Sequence, residues 1–548
     1  MVKIYLSKCI FLSETGDCLD GAIVTDGGNI AFVGDRQEAL QEFPEGKVID
    51  LGNRTVTAGL IETHSHIYAG GRFEQLVSLC VDPAEAEDVI MQKMKDFVET
   101  TPIEKDRIYL IYNYDFASAK KITRYGLDEM FGKETPVILA DISLHGGAFS
   151  SKALELLGYK DGDFIPQETE VQYEEDGKIG YIVEGLFWPL FTDFVLTDDR
   201  MGNRQIIDKT IDTMQDFFAG NGYTTLVDMI PTGSGNEEQW NQERYLQRQA
   251  EGTLKLRTGV CLSLTADKEE WIERKKILSG EYVFFCGLKG FVDGGFINST
   301  AWTTHPYETG LNKGRCGAPT CDLELYQRKI IEANELGIPV RVHAEGDKAI
   351  SEALRMFEGS DSQVINQVEH CTSMPDYIMD QIREYTKKHP LIFNMQPVFL
   401  YMEAPTEEHP VDVGNEFYNK TAVRVRSAMN AGAMVSLGSA DFPATFPSIS
   451  DHIRVCVNRL VDEESSFYYK TGYTPQEAVT IREFLTSATY IAAKAIGRDD
   501  CMGVLKKGYK ADLTVFDCNL IEMDRSEYKD ITIYKTIVNG EPVYEKEV

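Results

Sequence analysis

The 548-residue sequence predicts an α/β protein built on a (β/α)8 TIM barrel. Three observations carry that expectation. Strand and helix signals alternate through the middle of the chain, as the repeated β–α units of a parallel sheet do. Several predicted strands end in polar residues, which suits a barrel whose chemistry sits at the strand C-termini. Both chain ends are instead rich in short strands and turns, so a small β-sandwich made from the two ends is expected beside the barrel.

Residues 1–56 read as short strands. Ile23-Val24-Thr25 meets the turn signal Asp26-Gly27-Gly28-Asn29, then Ile30 to Val33 runs into Gly34-Asp35, and Lys47 to Leu51 meets Gly52-Asn53. The next stretch, Thr57-Ala58-Gly59-Leu60-Ile61-Glu62-Thr63-His64-Ser65-His66, ends an apolar strand in two histidines. Side chains at i and i+2 of a strand share a face, so both imidazoles aim at one point. Alone, a His-x-His pair arises easily by chance; the rest of the chain gives it weight.

The segment from about 80 to 200 breaks the β–α rhythm. It holds Tyr112, Tyr114, Phe116, Tyr125, His145-Gly146-Gly147 and a polar run over 167–178, and is expected as an insertion covering the barrel mouth. The alternation then resumes. Helical patterns over 204–219, 323–336 and 347–358 separate strands over 222–228, 284–292, 339–343 and 364–370, followed by strands at 391–396 and 433–437. A Gly- and Pro-rich loop over 294–321 is a second mouth element. Strands at 510–516 and 533–538, with Asn539-Gly540 opening a turn, close the chain. The expected division is a composite sandwich of 1–56 with 490–548, and a barrel over 57–489 that carries the insertion.

Apolar residues make up 43% of the chain, which predicts large buried cores rather than disorder. The formal net charge of −32 argues against a nucleic-acid partner, because phosphates would be repelled. Eleven cysteines occur without any Cys-x-x-Cys, as reduced thiols of a cytoplasmic protein would. The start, Met1 to Leu12, reads as a first strand rather than a signal peptide, since Lys3 and Lys8 interrupt it. No run of about 18 apolar residues exists, so no membrane span is expected. The expected partner is a small-molecule substrate, and a homodimer is the usual form of symmetric assembly.

Of nine histidines, His64, His66, His343 and His370 fall at the ends of predicted strands. Asp441, in Leu-Gly-Ser-Ala-Asp-Phe-Pro, follows another apolar strand, and Lys289 lies within one. Four imidazoles and a carboxylate offer neutral nitrogen and hard oxygen to a divalent metal. A metal held there brings the pKa of bound water toward ~7 and polarises a carbonyl. Asp441 is then the proton shuttle between water and a leaving amine.

These motifs resemble the amidohydrolase superfamily, and more closely its YtcJ-like branch, amidohydrolase family 3, which includes N-substituted formamide deformylase. The resemblance runs through Gly59 to His66, Lys289 to Gly294, His343 to Ala349, Glu369-His370, Ala440 to Pro443 and Gly503 to Leu513, in that order along nearly the whole chain. Ala58 stands where the family usually has Pro, and Ala440 where it usually has Ser; neither type is a metal ligand. The stretch Asp141 to Ser150, which in relatives reaches substrate, matches only at His145 and nearby small residues.

The resemblance implies a distorted barrel beside a β-sandwich, one or two divalent ions (usually zinc) and hydrolysis at a carbon bonded to nitrogen. It implies that His64 and His66 hold one metal and His343 and His370 a second, with Asp441 at the same centre. It also implies that Lys289 can be carboxylated and bridge the two. An ordinary ammonium there would repel the metals.

Other readings stand beside these. Lys289 is otherwise an ion-paired lysine, and Asp441 a helix cap. His145 is a substrate contact or a mouth-loop residue. Tyr114 and Trp302 line a substrate pocket or sit in the core, the commoner place for aromatics. The same metal site would also serve a lactonase or other ester hydrolase. A non-catalytic binding protein on this fold is the third alternative, and it would have no need of Asp441.

Overall fold

The computed structural model describes residues 1–547 apart from 67–69, 73–74, 83–84, 117–121, 142–143, 167–168, 196–203, 230–237, 311, 361–362, 401–403, 406–409, 439–447 and 460–472. Asp441 therefore lies outside the described residues.

The barrel strands are β1 (Leu60–Ser65), β2 (Tyr223–Asp228), β3 (Arg257–Ser263), β4 (Val283–Phe291), β5 (Val340–Ala344), β6 (Gln367–His370), β7 (Ile392–Met395) and β8 (Met434–Leu437). They form an eight-stranded sheet in sequence order, each strand parallel to the next. Helices Arg204–Gly220, Lys268–Ile277, Leu323–Glu335, Asp347–Glu358 and Asp376–Thr386 lie between successive strands. The strands are buried on both faces, hence their runs of Val, Ile, Leu and Phe. The sheet nearly closes: β1 and β8 share no strand ladder, but Thr63 Oγ1 and Ser436 Oγ meet across the seam at 3.0 Å.

Register sets which side chains meet inside. Lys289 is opposite Arg341, and Phe291 opposite His343, on β4 and β5. Arg341 is opposite Gln367, and His343 opposite Glu369, on β5 and β6. Glu369 is opposite Asn394 on β7. Because the side-chain period is two, these positions form two adjacent layers on one face. The floor beneath them is the end of helix Ala492–Ala495. The Ala495 carbonyl accepts from Arg341 Nη2 at 2.6 Å and from Gln367 Nε2 at 2.7 Å.

The two chain ends form one sheet. Its order is Glu541–Glu545, Ile533–Val538, Leu513–Phe516, Thr55–Ala58, Val2–Leu12, Asp17–Asp26 and Asn29–Gly34, with Lys47–Asp50 also on Val2–Leu12. Its attachment to the barrel is polar and buried. Asp512 takes Arg257 Nε at 2.7 Å and Nη2 at 3.0 Å, a two-pronged pair that fixes the start of β3.

β3 itself escapes the sequence reading. Arg-Thr-Gly-Val-Cys-Leu-Ser is interrupted by Gly259, which breaks its apolar run. Gly259 is there because a Cβ would meet the Phe284 ring of β4 at 3.0 Å.

Between β1 and β2, a six-stranded sheet runs Glu170–Tyr173, Ile179–Val183, Gly146–Phe149, Val137–Asp141, Tyr109–Tyr114 and Ser78–Cys80. Apolar clusters cover it, one around Leu110, Ile138 and Phe187 and another around Ile111, Leu139 and Tyr114. Among the described residues, no helix is long and apolar enough to cross a membrane.

Candidate metal centre and active site

The imidazoles gather at the C-terminal ends of β1, β5 and β6. The His64 ring centre lies 5.7 Å from that of His66 and 4.6 Å from that of His370. His343 and His370 lie 4.5 Å apart. His64 is fully buried, and its Nδ1 meets Glu369 Oε2 at 2.6 Å across the interior. Its backbone N–H donates to Glu62 Oε1 at 3.0 Å. Glu369 also accepts from Asn394 Nδ2 at 2.8 Å and lies 3.6 Å from Arg341 Nη1. Arg341 is itself fully buried, so this carboxylate balances an interior cation.

His370 reaches the cluster by a backbone device. Glu369 faces the interior, so a continued strand would turn the next residue outward. His370 instead has φ 71 and Cys371 φ 54, left-handed values that non-glycine residues seldom adopt. The turn brings the ring inward, where His370 Nδ1 meets Gln396 Oε1 at 3.0 Å and the ring stacks on Phe399. Strain of this kind, typically about 1–3 kcal/mol, persists where surrounding structure enforces it.

Lys289 is 2% exposed, its Nζ 5.0 Å from the centre of the Phe291 ring, which in turn lies 5.4 Å from the ring of His343. Burial, then the Lys289 charge, holds His64, His66 and His343 below the usual imidazole range; His66 falls to about 3. His370 is lowered as well, by burial and then by the neighbouring His343. Neutral imidazole is the form that ligates metal.

The residues fit a divalent cation by donor chemistry and by support. A ring nitrogen held by a carboxylate or amide oxygen fixes tautomer and orientation, as at metal-binding histidines. Glu369 does this for His64 and Gln396 for His370. Among the described residues, no three His, Cys, Asp or Glu side chains already meet as a closed ligand cage.

Asp293 follows β4. It accepts from the backbone N–H groups of Glu345 at 3.0 Å, Gly346 at 2.8 Å and Trp302 at 2.8 Å, and its Oδ1 lies 3.8 Å from His343 Nε2. Burial raises its carboxyl to about 7 against the pull of those donors. It thus ties the loop after β4 to the end of β5, a wider task than organising its own turn.

The insertion supplies one wall. His145 Nδ1 meets Glu184 Oε1 at 2.8 Å, and the His145 ring lies 5.8 Å from that of His343. Glu184 also accepts from Trp188 Nε1 at 3.1 Å and from Thr300 Oγ1 at 3.1 Å, the latter on the loop after β4. Tyr114 is fully buried in the insertion's apolar interior, its ring 4.8 Å from Phe116. Trp302 is half-buried against the barrel core, and its backbone serves Asp293. The structure therefore brings together His64, His66, Lys289, His343 and His370, sets His145 beside them, and puts Tyr114 in a core.

Glu369, Arg341, Gln396 and Glu184 support the cluster and were not singled out by residue type. For Arg341 a signal existed: it sits at i−2 from His343 and so on the same face. For Glu184 none existed, because its partner is distant in sequence and its own strand ends at Val183.

The amidohydrolase family model matches residues 47–544. YtcJ of Bacillus subtilis, named as an amidohydrolase, is 24% identical over 97% of this chain and 97% of its own length. N-substituted formamide deformylase of Arthrobacter pascens is 25% identical over 96% of this chain and 95% of its own. A metal-dependent hydrolase from Pyrococcus horikoshii shares the fold, with a TM-score of 0.72 and 20% identity over 96% of this chain and 99% of that one. The chain belongs to the amidohydrolase family and is a hydrolase of that family.

Proposed function

We propose that the protein hydrolyses a carbon–nitrogen bond in a small, non-peptide amide or formamide-like substrate, at a divalent metal centre, zinc by preference. The observation that carries the reading is the cluster of four neutral imidazoles near Lys289 at the barrel's mouth, those of His64, His343 and His370 buried and that of His66 half-buried. Similarity to a formamide deformylase supports the choice of bond.

His64 and His66 would hold one ion and His343 and His370 a second, and Lys289, once carboxylated, would add an oxygen donor to the same centre. A cation there brings the pKa of water toward ~7 and polarises the substrate carbonyl. Glu369 and Gln396 keep the His64 and His370 rings in one orientation through the reaction. His145, its tautomer set by Glu184, hydrogen-bonds the substrate from the insertion side. Asp441 accepts a proton from the attacking water and delivers it to the leaving nitrogen, which departs as a neutral amine.

The test is Asp441→Asn assayed on parallel panels of N-substituted amides, formamides and lactones. Metal content per chain should stay at the wild-type level while turnover falls by roughly 10²–10⁴-fold, the usual worth of a positioned acid–base group. Near-wild-type turnover would remove Asp441 from this role. Wild-type preference for lactones would replace the C–N assignment.

A further inference from the structure

The hairpin at the start of the terminal sheet carries two thiols that the metal site does not use. Cys9, on Val2–Leu12, is buried, and Cys18, on Asp17–Asp26, is exposed. The ladder shifts register between Ser7 and Ile10, next to Cys9. The Cys9 thiol donates to Cys18 Sγ at 3.8 Å. Arg482, at the start of helix Ile481–Thr486, donates to Cys18 Sγ at 3.6 Å and also to the Gly16 carbonyl. Thr55 Oγ1 donates to Cys9 Sγ at 3.4 Å. An exposed thiol beside a guanidinium, with a buried thiol behind it, is the arrangement of an attacking and a resolving cysteine.

We propose that Cys9 and Cys18 form a thiol–disulfide modification site that takes small aliphatic disulfides. The Cys18 thiolate attacks one sulfur of the small disulfide. That S–S bond breaks, the first small thiolate leaves and is protonated by solvent, and Cys18 is left in a mixed disulfide. Cys9 then loses its proton and attacks the Cys18 sulfur. The Cys9–Cys18 bond forms and the second small thiolate leaves and is protonated. Two protein thiols are oxidised and one small disulfide is reduced to two thiols, so atoms and electrons balance.

The order of the steps follows from the two environments. The Cys9 donor, then the Arg482 charge, draws the Cys18 thiol down to about 6 despite partial burial. The Cys18 sulfur, then burial, holds the Cys9 thiol far above its usual range until the mixed disulfide removes the Cys18 charge. Cys80 is an internal control: it is also exposed, but desolvation raises its thiol.

The experiment exposes the full-length protein to oxidised glutathione at pH 7 and maps its peptides without reduction. Wild type should lose two hydrogens on the segment carrying Cys9 and Cys18. Cys9→Ser should instead hold a stable glutathione adduct at Cys18. Arg482→Gln should slow modification of Cys18 by about tenfold, through a smaller thiolate fraction. Modification of Cys18 no faster than of Cys80 would overturn the attacking role. A lasting wild-type adduct at Cys18, with Cys9 still open to alkylation, would overturn the resolving one.

Discussion

Two histidine–glutamate pairs face the same mouth and are built differently. In the barrel, His64 Nδ1 and Glu369 meet at 2.6 Å with both side chains fully buried. In the insertion, His145 Nδ1 and Glu184 meet at 2.8 Å with 15% and 8% of the side chains exposed. Glu369 stands in a chain of interior polar groups, Asn394 and Arg341 among them, that runs down to the Ala495 carbonyl. Glu184 is held by Trp188 of its own segment and Thr300 of a barrel loop. The barrel pair is part of the structure that makes the sheet interior tolerable; the insertion pair joins two mouth segments. Changes to the first should reach metal binding and folding, and changes to the second should reach substrate.

The sharpest contrast is expected from Glu369→Gln. It keeps the side-chain shape but removes the charge that orients His64 and balances buried Arg341. Loss of such a support typically weakens metal affinity by about 10–100-fold. Competition for zinc against a chromogenic chelator measures it. An unchanged affinity would make the barrel pair no more than a structural hydrogen bond.

The rings also set a pH dependence. Burial lowers both His66 and His452 to about 3. His64, His343 and His370 shift the same way. These folded values lie below the unfolded value of about 6.5, so the unfolded chain takes up protons first. The stability from neutral rings is whole above about pH 6.5 and falls toward pH 3, by about 1.4 kcal/mol per pH unit for each ring. Asp293 and Glu369 are raised by burial and act with the opposite sign, offsetting part of this. Urea midpoints for the metal-free protein should therefore drop between pH 7.5 and 5.5. His452 pairs with the Tyr223 hydroxyl at 3.0 Å, apart from the other four rings. Added zinc should then restore the share lost by those four and leave the His452 share. Equal midpoints with and without zinc would separate the four rings from metal.

The same contrast explains what was legible in the sequence. His64, His343 and His370 stood out because apolar strands delivered them at their ends, and β1, β4, β5 and β6 could be read from those runs. β3 could not, since Gly259 breaks its pattern for the sake of the Phe284 ring. Glu369 was visible only as the neighbour of His370, and alternation would have turned one of the two away. The left-handed turn at His370 and Cys371 lets both face inward, and no residue type there announces it. In the insertion, aromatic residues looked alike: Tyr114 went to the core, while His145 reached the mouth through a glutamate 39 residues away.

Glu184→Gln is expected to have the smallest effect, and it decides whether the insertion pair belongs to the chemistry. Gln keeps one acceptor oxygen, which can serve Thr300, but turns its amide N–H2 toward Trp188 Nε1–H, so the mouth segments should stay joined through Thr300 and the melting temperature should fall only slightly. His145 exchanges a charged acceptor for a neutral one, so the hydrogen bond to substrate proposed for it should weaken. A charge-assisted bond is roughly twice as strong as a neutral one, so a loss of about tenfold in kcat/KM is the scale to expect. Zinc affinity should stay at the wild-type value, opposite to Glu369→Gln. If zinc affinity falls instead, His145 acts through its contact with His343 and the two pairs are one unit. If kcat/KM and zinc affinity both hold, Glu184 only fastens the insertion to the loop after β4, and substrate is recognised elsewhere in the mouth.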